Sequence, residues 1–183
     1  MKYCINNLID YGAVNILINE DFNINKYKDD ESMVVIKGTG VSLKNISKIG
    51  VELLRKTDSS YYGLLGFEYY PHNNNELIVM ICYVEKLFEI YDENMLGNNE
   101  KIFVGLTSEY VRGIKNSIEK IKNDMNLFSG KIVINVAAQS LIGTSPHIYS
   151  KILYILLRIA KNDKEEYRNN ELQDIIINQH LMD

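Results

Sequence analysis

The chain has 183 residues, 46% hydrophobic and 24% charged, which suits one folded core or two small domains sharing an interface. A net charge of −4 and a pI near 5.5 weigh against non-specific binding to phosphate backbones, which is largely electrostatic. The absence of any run of 18 apolar residues excludes a membrane-spanning helix, and Cys4 and Cys82, far apart and without CxxC spacing, indicate neither a zinc site nor a disulfide framework.

Residues 1–10 hold Lys2 and Asp10 around an Asn-interrupted apolar patch and do not read as a signal peptide, so a cytoplasmic protein with reduced thiols is expected. Residues 11–18 alternate loosely around Ala13, Val14, Ile16 and Ile18 and read as a strand. The polar stretch 19–32 reads as a loop, and residues 33–36 as a short strand broken by Lys37-Gly38-Thr39-Gly40. Leu43, Ile46, Gly50, Leu53 and Leu54 then predict a helix capped by Ser42. A strand, a G-x-G turn and a helix suggest a nucleotide, but the third glycine of the dinucleotide fingerprint would fall at Leu43 and no Walker lysine follows, so the segment reads as a turn and cap. Residues 1–60 are thus expected to form a strand-strand-helix cover or accessory segment.

Residues 61–70 and 77–84 read as a hairpin around a turn at Pro71 and His72. The second strand is apolar on both faces and must be covered on both, by the N-terminal segment or by a second copy of the protein. Tyr69, Met80 and Cys82 are therefore candidate interface residues. The aromatics of the first strand have no basic neighbours, which favours packing over base stacking. Residues 91–100 form a polar loop.

The best-patterned stretch, residues 101–163, reads strand, helix, strand, loop, helix. Val111, Ile114, Ile118, Ile121 and Met125 form one apolar stripe, opposite Arg112, Lys115, Glu119, Lys120 and Lys122. Thr107 or Ser108 is positioned to cap this helix. Gly113, inside it, costs about 1 kcal/mol relative to Ala, either because a neighbour packs closely there or through simple tolerance. Ser145 followed by Pro146 opens a second helix, apolar around most of its circumference from Ile148 to Ala160. After a charged break, Leu172, Ile175 and Ile176 predict a C-terminal helix within residues 164–183.

The run GLTSEYVRGIKNSIEKI, followed by a strand, a short loop, Thr144-Ser145 and an apolar helix, resembles the fourth domain of translational elongation factor G. In that family a Glu-Tyr pair opens the first helix and a Ser-Ser pair the second, matching Glu109-Tyr110 and Thr144-Ser145. The resemblance covers residues 101–163. It implies an α+β fold, a mixed or antiparallel sheet with helices mainly on one face around a βαβα core. A ribosomal small-subunit protein and the GHMP-type small-molecule kinases share this fold. The family's tip histidine, which approaches RNA, is matched here by Ser140, and no GTP-binding P-loop is present. RNA or the ribosome is therefore a partner by resemblance alone, against the acidic balance.

Catalytic residues do not emerge. His72, His147 and His180 lie in a turn, a helix start and the tail, with no metal-ligand spacing, and a separation of two residues does not place His147 on the Ser145 hydroxyl. No metal and no cofactor are expected. Two readings follow. One is a non-catalytic binding or assembly module that forms a homodimer or engages a protein partner. The other is a small-molecule enzyme, a GHMP-kinase-like fold relative. It would bind a ligand or anion with Gln139, Ser140, Gly143, Thr144, Ser145 and His147 at a helix N-terminus, although the expected run of Gly and Ser is missing.

Overall fold

The structure, a computed structural model, describes residues 1–8, 12–55, 61–72 and 74–177. Strands β1 (Lys2–Leu8), β2 (Gly12–Ile18), β3 (Asp30–Lys37), β4 (Lys48–Leu54), β5 (Tyr62–Tyr70) and β6 (Glu76–Tyr83) come first. β7 (Ile102–Val104), α1 (Ser108–Asp124), β8 (Gly130–Ser140), α2 (Pro146–Asn162) and α3 (Asn169–Ile177) follow. The strands make one mixed sheet in the order β1-β2-β4-β5-β8-β6-β3, with β7 paired to β8 beyond this path. Every pairing is antiparallel except β6 with β8. This is the expected α+β class.

Alternation along the strands sorts the sheet into two faces. Ile16, Val51, Leu65, Ile132, Val79 and Ile36 lie on one face and are buried. α1 and α2 cover it. The fully buried Tyr149, Ile152 and Leu156 of α2 form its spine, and at about 1.5 to 3 kcal/mol per large side chain this helix supplies a major share of the burial free energy. A Cβ on Gly63 would come within 2.9 Å of the Ile152 side chain, so the missing side chain lets α2 settle onto β5. Gly113 has a close-packed neighbour as well: a Cβ there would lie 2.9 Å from Cβ of Pro146, where α1 crosses the start of α2.

The helix expected over residues 43–54 is instead an irregular segment followed by β4. Within KIGVELL, Ile49, Val51 and Leu53 alternate onto the buried face, a two-residue period with β-branched members that outweighs the looser helical spacing. Gly50 and Gly66 stand opposite each other on β4 and β5, and the Phe22 ring lies against this bare pair, 2.5 Å from where a Gly50 Cβ would project. Upstream, the amides of Lys44, Asn45 and Ile46 donate to the Asp163 carboxylate at 2.6, 3.0 and 3.2 Å. Asp163 ends α2 in the left-handed conformation. The acceptor for the free amides ahead of β4 is therefore the protein's own carboxylate.

The expected hairpin of residues 61–70 with 77–84 is also corrected. β8 inserts between β5 and β6, and the 71–75 link spans two strand spacings, about 10 Å. β8 is long and apolar along most of its length, and the central position pairs both its edges. β1, not anticipated from its interrupted pattern, closes the far side of the sheet. Its pairing shifts register between Ile5 and Leu8, and α3 packs against it.

Candidate functional site

The loop after β8 is built from side chains that serve one another. Ser140 Oγ accepts from the amides of Ile142 and Gly143 at 3.1 and 2.7 Å and donates to Glu100. The Ser140 amide donates to Thr144 Oγ1 at 2.8 Å, and that hydroxyl donates to the Tyr62 carbonyl at 2.8 Å. Gly143 presents its carbonyl to the amides of Tyr61 and Tyr62 and lies on the Tyr61 ring, which a Cβ would strike at 2.5 Å. Tyr61 donates its hydroxyl to Glu100, and this bond, with burial, raises the phenol above its usual range. Gln139 Oε1 accepts from the Thr107 amide at 3.3 Å, at the start of α1.

Ser145 takes the expected N-cap position ahead of Pro146, but its side chain does not cap; Oγ is buried without a partner. Thr107, at the N-cap of α1, also makes no side-chain cap bond, and its hydroxyl donates to Glu109. His147 is exposed on the first turn of α2. The structure thus gathers Ser140, Gly143 and Thr144 into one turn and spends their polar groups on its shape, while Gln139, at the end of β8, holds the start of α1. The loop's outward side is apolar, with Leu141 and Ile142 69% and 80% exposed.

Away from the loop, His72 accepts from the Asn74 amide through Nδ1 at 3.1 Å, and His180 lies outside the described residues. Among the described residues no group of three or more His, Cys, Asp or Glu side chains could hold a metal. A cleft of about 580 Å³ at the C-terminal end of α1 is lined by Lys37, Thr39, Asn75, Lys122 and Asn126. Its lysines stand at the negative end of the helix dipole, and Lys122 is ion-paired with Glu119.

The second face of the sheet carries a buried acid that composition and spacing did not reveal. Glu52 on β4 accepts from Asn15 at 3.1 Å, from the Tyr62 hydroxyl at 2.9 Å and from the Met95 amide at 2.9 Å. Burial pushes its carboxyl up, against these three hydrogen bonds. Burial and the nearby Glu52 push the Tyr62 and Tyr91 phenols far above their ordinary value, so both stay neutral donors. The group anchors the 84–101 connection to the sheet. The 19–29 connection is anchored beside it: Lys26 pairs with Glu68, Asn25 donates to Glu89 at 2.9 Å and Asn23 to Glu93 at 2.8 Å. Together the two connections cover the β4–β5 part of this face.

They do not reach its other end. Met33 and Val35 of β3 are 61% and 46% exposed, in register with the half-buried Met80 and Ile78 of β6, and Val133 of β8 stands opposite Met80. Of the three interface candidates, Met80 lies in this patch. Cys82 shares its face but is buried where the 19–29 connection meets β6, and burial raises its thiol. Tyr69 belongs to the helix-covered face. Its hydroxyl donates to the Ser129 carbonyl at 2.7 Å and accepts from the Leu43 amide at 3.1 Å, with the ring edge-on to Phe128. The residues that complete the patch, Met33 and Val35, were legible as a strand but not as its exposed edge.

No protein family matches the chain, and neither characterised proteins nor solved structures yield a match. No helix among the described residues is long and apolar enough to cross a membrane.

Proposed function

We propose that this protein is a non-catalytic binding or assembly module that associates with itself, built on a translation-factor-like core of β7, α1, β8 and α2. The open end of the second sheet face is its working surface. The observation that carries this reading is the pair Met33 and Val35, two large apolar side chains exposed beside half-buried Met80 and Ile78 in a sheet whose second face is roofed by connections over β4 and β5. A contiguous apolar patch of this kind is the usual mark of a protein contact. The inward-turned polar groups of the loop at the start of α2 favour a structural role there over ligand chemistry, and the acidic balance disfavours RNA.

Light scattering of the wild-type protein and of Val35→Lys tests the reading. The expected result is a mass of twice 21.1 kDa that falls to the monomer in the variant while circular dichroism is unchanged. A wild-type protein that stays monomeric across micromolar to millimolar concentration would overturn self-association.

A further inference from the structure

We infer that the partner is a second copy of this chain docked through β3, antiparallel about a two-fold axis that passes midway between the Val34 residues of the two copies. This inference rests on the self-association reading above and adds the contact and its register.

β3 is the terminal strand of the sheet and pairs only with β6, through all eight of its residues from Asp30 to Lys37. Its outer edge therefore presents backbone donors and acceptors to which no strand among the described residues is bound. Protein edges of this length are normally blunted by proline, a bulge or a central charge. DESMVVIK has no proline, its register with β6 is unbroken, and its charges stand at the ends. The opposite edge, β1, is interrupted by its register shift.

Two identical edge strands can join in antiparallel fashion only about an axis perpendicular to the sheet, which keeps the two helix layers on one side. Opposed residues then share a face, which restricts the register to those that place one residue on the axis. With Val34 on the axis, Met33 of each copy opposes Val35 of the other, and Glu31 opposes Lys37. Both pairs fall on the open face. Moving the axis one residue along sets Glu31 against Val35, or Met33 against Lys37, and loses both matches. The acidic start and basic end of β3 thus complement themselves when the strand is reversed. Glu31 already lies 2.7 Å from Lys28, but both side chains are well exposed and such a pair is worth little.

Charge exchange read by sedimentation equilibrium tests the register. Glu31→Lys and Lys37→Glu each turn two cross-strand attractions into repulsions, and each is expected to raise the dimer dissociation constant about tenfold, with the double variant restoring it. In a Cys4→Ser background, a mixture of Met33→Cys and Val35→Cys chains should cross-link under mild oxidation much faster than either variant alone. Directly opposed residues lie within disulfide reach and diagonal ones do not. The substituted positions are exposed, so folding should be retained in every variant. A dimer that is lost in Val35→Lys but indifferent to both charge reversals would overturn the β3 register while leaving self-association standing. A monomer throughout would overturn both, and rapid cross-linking of Met33→Cys with itself would overturn this axis alone.

Discussion

The Glu52 carboxylate shows how one buried side chain can hold a long connection in place. Three donors converge on it, and truncation to alanine would leave all three without an acceptor, so Glu52→Ala is expected to cost about 3 kcal/mol, measured by urea unfolding. Glu68 behaves in the opposite sense toward pH. Burial pushes its carboxyl up, but hydrogen bonds from Lys26, Asn135 and Tyr70 outweigh that and hold it below the usual range. A carboxyl lowered in the folded state contributes stability that is present above the unfolded value, about 4.3, and is lost as pH falls through the folded one. Acid titration of stability should therefore be shallower below about pH 4 in Glu68→Gln than in the wild type. Neither role was readable beforehand, because the partners Asn15, Met95, Lys26 and Asn135 lie between 37 and 67 residues away in the chain.

At the scale of elements, the local patterns that dominate their own segments were legible. α1, α2 and α3 each carry a helical stripe, and Pro146 marks the first turn of α2, whereas Gly113 left close packing and tolerance open until the contact with Pro146 was seen. β4 was not, because its seven residues fit both periods and the deciding contact, Phe22 over the Gly50–Gly66 pair, comes from a remote loop. Gly50→Ala would displace that ring and is expected to destabilise the protein by about 1 to 3 kcal/mol, visible as a lowered thermal midpoint. Asp163→Ala would strip the acceptor from three successive amides ahead of β4 and should cost about 2 kcal/mol, with Asp163→Asn recovering part of it. The neighbours of β5 could not be read from a hairpin pattern, since the strand that separates it from β6 arrives some fifty residues later.

Across the whole molecule, the first sixty residues supply strands to both flanks of the sheet: β1, β2 and β4 on one side, β3 on the other. Neither flank has a core of its own. Calorimetric unfolding is therefore expected to be a single transition whose van't Hoff and calorimetric enthalpies agree. The sequence showed that a two-faced strand needed cover, and part of that cover is indeed the connection between β2 and β3. The exposed remainder became visible only when β3 was found at the rim.

The two rims of the sheet differ in kind, and this limits how far association can run. Among the described strands β1 is interrupted by its register shift and contacted by α3, whereas β3 is unbroken, so each chain offers one long regular edge. Joining two such edges would use both, so association through β3 would end at the dimer and not continue into fibres.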